Sequence, residues 1–114
     1  MKISKEAQRI LVTAAEYLKD PDNWTRNAIS RGDKVCALGA LRKAAITEGL
    51  TEERLRGPGI RKTCKPYREA RRALFKTVGG NIPNWNDNQV MGHEEVHEGF
   101  CKAVKTYVIA EGEK

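Results

Sequence analysis

The sequence predicts an all-α domain: a small bundle of about four main helices joined by short connections. Two observations carry that reading. Apolar residues recur at three- and four-residue steps in four separate stretches, and clusters of Pro, Gly, Asn and Asp fall between those stretches. The length of 114 residues supports one modest core and not two, so residues 1–114 are read as a single domain.

In the first stretch Ser4 is placed to cap a helix whose inward stripe is Ala7, Ile10, Leu11, Ala14, Ala15 and Leu18, and Asp20-Pro21-Asp22-Asn23 stops it. Trp24, just past that end, is expected to fold back on the core. Residues 25–32 form a polar connector in which 27–30 has the character of a short extended segment. Residues 33–46 read as the central buried helix, capped by Asp33, with Val35, Leu38, Leu41, Ala45 and Ile46 inward. Its other side carries Cys36, Ala37, Gly39, Ala40 and Ala44, small enough for a neighbouring helix to approach closely. Gly39 is assigned to such a contact, because glycine inside a helix costs roughly 1 kcal/mol against alanine.

That helix is expected to end near Gly49, with 51–56 forming a short capped turn of helix broken by Gly57-Pro58-Gly59. After a basic loop at 60–65, Pro66 opens a third long helix with Tyr67, Ala70, Leu74 and Val78 inward and Arg68, Arg71, Arg72 and Lys76 outward. Gly79-Gly80 ends it. A turn-rich loop at 81–88 carries Trp85, and a last helix is expected from about 93 to 111, with Val96, Phe100, Ala103, Val104, Tyr107 and Val108 inward.

The net charge of +6 is unevenly distributed. Residues 54–76 hold nine basic side chains (Arg54, Arg56, Arg61, Lys62, Lys65, Arg68, Arg71, Arg72, Lys76) and one acid, Glu69, so the rest of the chain is slightly acidic. Such a basic half points to an acidic partner, with a merely solvated face as the plainer alternative. No apolar run approaches the roughly 20 residues of a membrane span, and the N-terminus lacks the apolar core of a signal peptide, so the expected location is cytoplasmic, with no membrane partner. Cys36, Cys64 and Cys101 are odd in number and widely spaced, which indicates reduced thiols rather than a disulfide framework or a zinc knuckle.

Trp24 after the first helix, Val35-Cys36-Ala37-Leu38-Gly39-Ala40-Leu41, Trp85-Asn86-Asp87, and Glu95-Val96 opening the last helix together resemble a small family of uncharacterised bacterial and bacteriophage proteins. The resemblance covers most of the chain and implies origin and topology, with no activity attached. The basic stretch at 57–65 and the histidines at 93 and 97 depart from the pattern.

Two chemistries can be written on the residues. His93-Glu94-Glu95-Val96-His97 matches His-Glu-x-x-His, in which His93 and His97 would hold a zinc ion and Glu94 would act as general base; no third ligand is evident, and solvated surface histidines are the plainer reading. Cys36 at a helix start would have its pKa lowered by unpaired amides, with His93 or His97 as base and Asn86 or Asp87 orienting it. Its small apolar neighbours fit a packing cysteine instead. The asparagines around Trp85 read as turn closers, with a ligand site as the lesser alternative. The expectation is therefore a small basic binding protein, not an enzyme and without a cofactor. Arg61, Lys62, Lys65, Arg68, Arg71, Arg72 and Lys76 would engage nucleic acid or an acidic protein surface. A bacteriophage origin would make modulation of a host complex the natural role; a small enzyme using Cys36, Asp87, His93 and Glu94 is the alternative.

Overall fold

The computed structural model describes residues 2–51, 60 and 64–109. Four main helices account for most of them: α1 (Lys5–Tyr17), α2 (Ala37–Thr47), α3 (Lys65–Val78) and α4 (His93–Thr106). The fold is a small, compact, mainly helical domain, as the periodicity predicts. The expected short helix at 51–56, the Gly57-Pro58-Gly59 break and the basic residues Arg54, Arg56, Arg61 and Lys62 lie outside the described residues.

The first helix follows the sequence closely. Ser4 Oγ accepts the amide of Ala7 at 3.1 Å, satisfying one of the amides left open at a helix start. Ala7, Ile10, Leu11, Ala14 and Ala15 are buried, and Leu18 at the C-cap is fully enclosed. This helix, rather than the one expected, is the centre of the bundle: α1 packs against α2, α3 and α4, while α2 packs chiefly on α1 and α3.

The stretch at 33–46 is corrected in two ways. Residues 30–35 form a two-stranded antiparallel hairpin, β2 (Ser30–Arg31) with β3 (Lys34–Val35), turning at Gly32-Asp33, so the helix starts only at Ala37 and its N-cap is Cys36, not Asp33. The buried face of α2 is also the small one. Ala37, Gly39, Ala40, Leu41, Ala44 and Ala45 are buried, while Leu38 and Ile46 are half-exposed. Alanines win the interior here because α2 is packed on two helices, and short side chains allow close approach. Gly39 does sit at a close contact, but with loop backbone: a Cβ there would stand 2.3 Å from the carbonyl oxygen of Ile29.

α3 buries Tyr67, Ala70, Ala73 and Leu74, as its periodicity requires. The loop expected to carry Trp85 is wound instead into one helical turn (Ile82–Asn84) and a π-turn (Trp85–Gln89). Asn81 Oδ1 starts it by accepting the amide of Asn84 at 2.8 Å. Trp85 packs against Gly99 of α4, where a Cβ would lie 2.7 Å from two ring carbons. The last helix stops at Thr106, five residues short of the expected 111. Val108–Ile109 form a strand, β4, parallel to β1 (Lys2–Ile3), with Lys2 opposite Val108 and Ile3 opposite Ile109. β-branched residues after Tyr107 suit an extended chain, and the N-terminal segment supplies a partner that local sequence does not reveal.

Candidate functional site

Two features of the molecule carry chemistry: the outer face of α3, and the polar network around Asn86. On α3, Lys65, Arg68, Arg72 and Lys76 are all exposed, and Arg71 is half-buried. At 3.6 residues per turn the four exposed cations lie within roughly 80° of one another, on the side opposite Tyr67 and Leu74. Among the described residues none of these five is ion-paired. Glu69, the acid on this helix, lies at the edge of the same face, one turn from Lys65 and Arg72, and its half-buried carboxylate accepts the amide of Ser4 at 3.4 Å. Beside Arg68 and Arg72 stands Phe75, 45% exposed. The sequence reading passed over Phe75, although one turn past Arg71 and Arg72 it falls outside the stripe of Tyr67, Ala70 and Leu74.

Asn86 is completely buried and uses its full hydrogen-bonding capacity. Its Oδ1 accepts the indole N–H of Trp24 at 2.7 Å and the amide of Ala37, the first residue of α2, at 3.0 Å. Its Nδ2 donates to the carbonyl of Thr25 at 3.2 Å and to Oδ1 of Asp87 at 2.8 Å. Asp87 Oδ1 also accepts the amide of Asn27 at 2.9 Å, and Arg26 donates to the carbonyls of Asp87 (3.3 Å) and Val90 (2.7 Å) with its guanidinium 5.2 Å from the Trp24 ring centre. The three separate elements Trp24, Cys36-Ala37 and Trp85-Asn86-Asp87 thus meet at one amide. A family model described as a family of unknown function, DUF6197, matches residues 3–106. The chain belongs to that family. No curated protein and no solved structure matches it.

In this DUF6197 chain the catalytic candidates are held apart, each by a different partner. Cys36 is buried, and its Sγ accepts the amide of Gly39 at 3.4 Å as the cap of α2. Its pKa is raised from the ordinary value of 9.0, not lowered: burial disfavours the thiolate more than the helix-start amides favour it, and Asp87 adds to the rise. The carboxylate of Asp87 is engaged by Asn86 and Asn27. His93 donates through Nε2 to the carbonyl of Leu18 at the end of α1, where a cation or donor is favoured. His97 stacks on His93, ring centres 6.3 Å apart, and its Nε2 lies 3.6 Å from Cys101 Sγ. Both histidines are half-buried and structurally engaged, not the solvated groups expected. Glu94 and Glu95 point to solvent, and among the described residues no three His, Cys, Asp or Glu side chains converge on a point where one ion would sit.

This arrangement predicts an order of thiol reactivity. In the native protein at pH 8 a thiol reagent modifies the half-exposed Cys101 first, while Cys36 and Cys64, both buried, react at the rate of unfolding. The raised pKa of Cys36 means that the folded state holds its proton longer than the unfolded chain. Its contribution to stability is complete below pH 9.0 and is lost as pH rises from there toward the folded pKa. Mass spectrometry after timed labelling of wild type and Cys101→Ser checks the order; rapid native labelling of Cys36 would contradict it.

Proposed function

We propose that the protein is a non-enzymatic nucleic-acid-binding protein whose contact surface is the outer face of α3. The observation that carries the proposal is the row of exposed cations at Lys65, Arg68, Arg72 and Lys76, none of them ion-paired among the described residues. Cations held on a rigid helix without carboxylate partners neutralise phosphates and release counterions, which gives affinity without base reading. Arg61 and Lys62, just before the helix in sequence, would extend the same charge. Phe75 favours nucleic acid over an acidic protein face: an exposed ring among cations gives an unpaired base a surface to stack on, worth roughly 1–3 kcal/mol per base. Single strands are the preferred form on this reading. A bacteriophage origin, and action on a host complex by occupying its nucleic-acid surface, are parts of the same proposal. Among the described residues no helix is long and apolar enough to cross a membrane.

Fluorescence anisotropy with labelled oligonucleotides of unrelated sequence tests the proposal. Phe75→Ala is expected to weaken binding to a single strand by about tenfold, the lower end of the stacking range, and to leave duplex binding within about twofold. Arg68→Gln with Arg72→Gln and Lys76→Gln should weaken both. Equal affinity of wild type and the triple variant for every oligonucleotide would overturn the assignment and leave an acidic protein partner or a merely solvated helix face as the explanation of the charge.

A further inference from the structure

A second surface, on the exposed face of α2, holds a cleft. The hairpin β2–β3 overhangs the exposed face of α2 and leaves a cleft of about 370 Å³ between them. That is near the lower end of the roughly 300–1,000 Å³ usual for ligand pockets. Ile29 and Ile46 give it apolar surface, Ser30 and Thr47 give hydroxyls, and Arg42 and Lys43 stand on the helix side. Asp33 supplies one carboxylate at the hairpin turn, so the lining carries two cations against one acid.

The cleft is held open by fixed contacts. The Cys36 amide donates to the Ile29 carbonyl at 3.2 Å, and that carbonyl lies directly over Gly39, where no side chain fits. The hydroxyl of Tyr17 donates to the carbonyl of Asp33, tying the hairpin turn to α1. The Lys43 ammonium rests 5.0 Å from the Tyr17 ring centre, which keeps it at the rim. Much of the Asn86 network serves the same end, since Thr25 and Ala37 flank the segment that forms the overhang.

Arg42 is the informative residue. It is half-buried, lines the cleft, and among the described residues has neither an ion-pair partner nor a hydrogen-bonded one. Its guanidinium nitrogens are accessible rather than buried, so an oxyanion in the cleft can accept their paired N–H groups. Ile29, 52% exposed, and Ile46 together put apolar surface on the cleft wall that an apolar group of the same ligand can cover. We propose that the cleft between the hairpin and α2 binds a small molecule bearing one oxyanion, carboxylate or phosphate, next to an apolar group. Arg42 is the anchor for the anion, Lys43 the second cation, and Ile29 and Ile46 the apolar contact. The proposal is independent of the α3 surface.

Titration of ¹⁵N-labelled protein with benzoate, phenyl phosphate, inorganic phosphate and benzyl alcohol, followed by amide shifts, tests it. Benzoate or phenyl phosphate is expected to shift Gly32, Gly39 and Thr47 saturably below about 20 mM, and whichever binds more tightly identifies the anion. Inorganic phosphate and benzyl alcohol, each lacking half of the recognised chemistry, should bind at least about tenfold more weakly. Arg42→Gln should lower affinity for the preferred probe by about tenfold or more, and Lys43→Gln by less, with melting temperatures near wild type for both. Absence of saturable shifts at those three amides with both aromatic probes would overturn the proposal. So would undiminished affinity in Arg42→Gln, or shifts confined to α3, which would mark general attraction of anions to the basic face.

Discussion

Asn86→Ala is expected to unfold the protein or bring it to the edge of unfolding. The substitution strips the partner from the Trp24 indole N–H, the Ala37 amide and the Thr25 carbonyl at once, and leaves a cavity where the amide stood. A buried polar group left unsatisfied costs about 1–3 kcal/mol; the Ala37 amide is buried and the Trp24 and Thr25 groups partly so, and with the cavity the sum is on the order of 3 kcal/mol or more. A small domain has only about 5–15 kcal/mol in total. Asn86→Asp separates the polar cause from the cavity. It keeps Oδ1 as acceptor for Trp24 and Ala37, loses the donor to Thr25, and sets a carboxylate against Asp87, so it should cost nearly as much despite equal size. Urea unfolding of the two variants measures both. A loss below about 1 kcal/mol in Asn86→Ala would mean that water replaces the amide without penalty, and that the three elements do not depend on it.

Gly39→Leu should cost several kcal/mol, and Gly39→Ala should destabilise too. The alanine result is the sharper one. On helix propensity alone alanine would gain up to roughly 1 kcal/mol over glycine at this first-turn position of α2. A Cβ at position 39, however, falls 2.3 Å from the oxygen and 3.2 Å from the carbon of the Ile29 carbonyl. That obstacle is backbone, fixed by its hydrogen bond from Cys36, so it cannot swing aside like a side chain. Displacing it costs the typical 1–3 kcal/mol of overpacking, and a leucine adds the burden of a whole side chain. The Ile29 loop would then be the part that moves, with loss of the cleft it roofs. Thermal melts of the two variants check the order wild type, alanine, leucine; a stabilised Gly39→Ala would show that the loop yields freely.

The parts of the fold legible in the sequence are those set by local pattern. The α1 stripe with its Ser4 cap, the buried face of α3 and the start of α4 at His93 follow from periodicity and terminal residues. The misread parts depend on distant partners. The central position goes to α1 because three helices converge on it, which no single helix announces. The small residues of α2 looked like a secondary face because a size scale ranks Leu38 and Ile46 above alanine, yet close packing prefers the alanines. The end of α4 was overrun because Val108 and Ile109 pair with a strand at the other end of the chain. Asn86 is the instructive case: Asn81 closes a local turn by accepting the amide of Asn84, but Asn86, read as another turn closer, meets Trp24, Thr25 and Ala37 at sequence separations of 62, 61 and 49. Only the folded chain distinguishes the two asparagines. The exposure of Arg68, Arg72 and Lys76 is legible in the sequence because charge at helical spacing needs no fold to be counted, whereas the exposure of Phe75 beside them shows only in the folded chain.

The dependence of nucleic-acid affinity on salt tests the central claim most directly. Counterions are released only from phosphates that the protein neutralises, at about 0.7 per contact for a single strand and 0.9 for a duplex. With Lys65, Arg68, Arg72 and Lys76 all engaged, a plot of log affinity against log salt for a single strand should fall with a slope of about −3. The variant carrying Arg68→Gln, Arg72→Gln and Lys76→Gln should flatten that slope by about two units, and neutralising Lys2 and Lys5 instead should leave it unchanged. A wild-type slope near zero, or a slope in the triple variant equal to that of wild type, would contradict the assignment of α3 as the nucleic-acid surface.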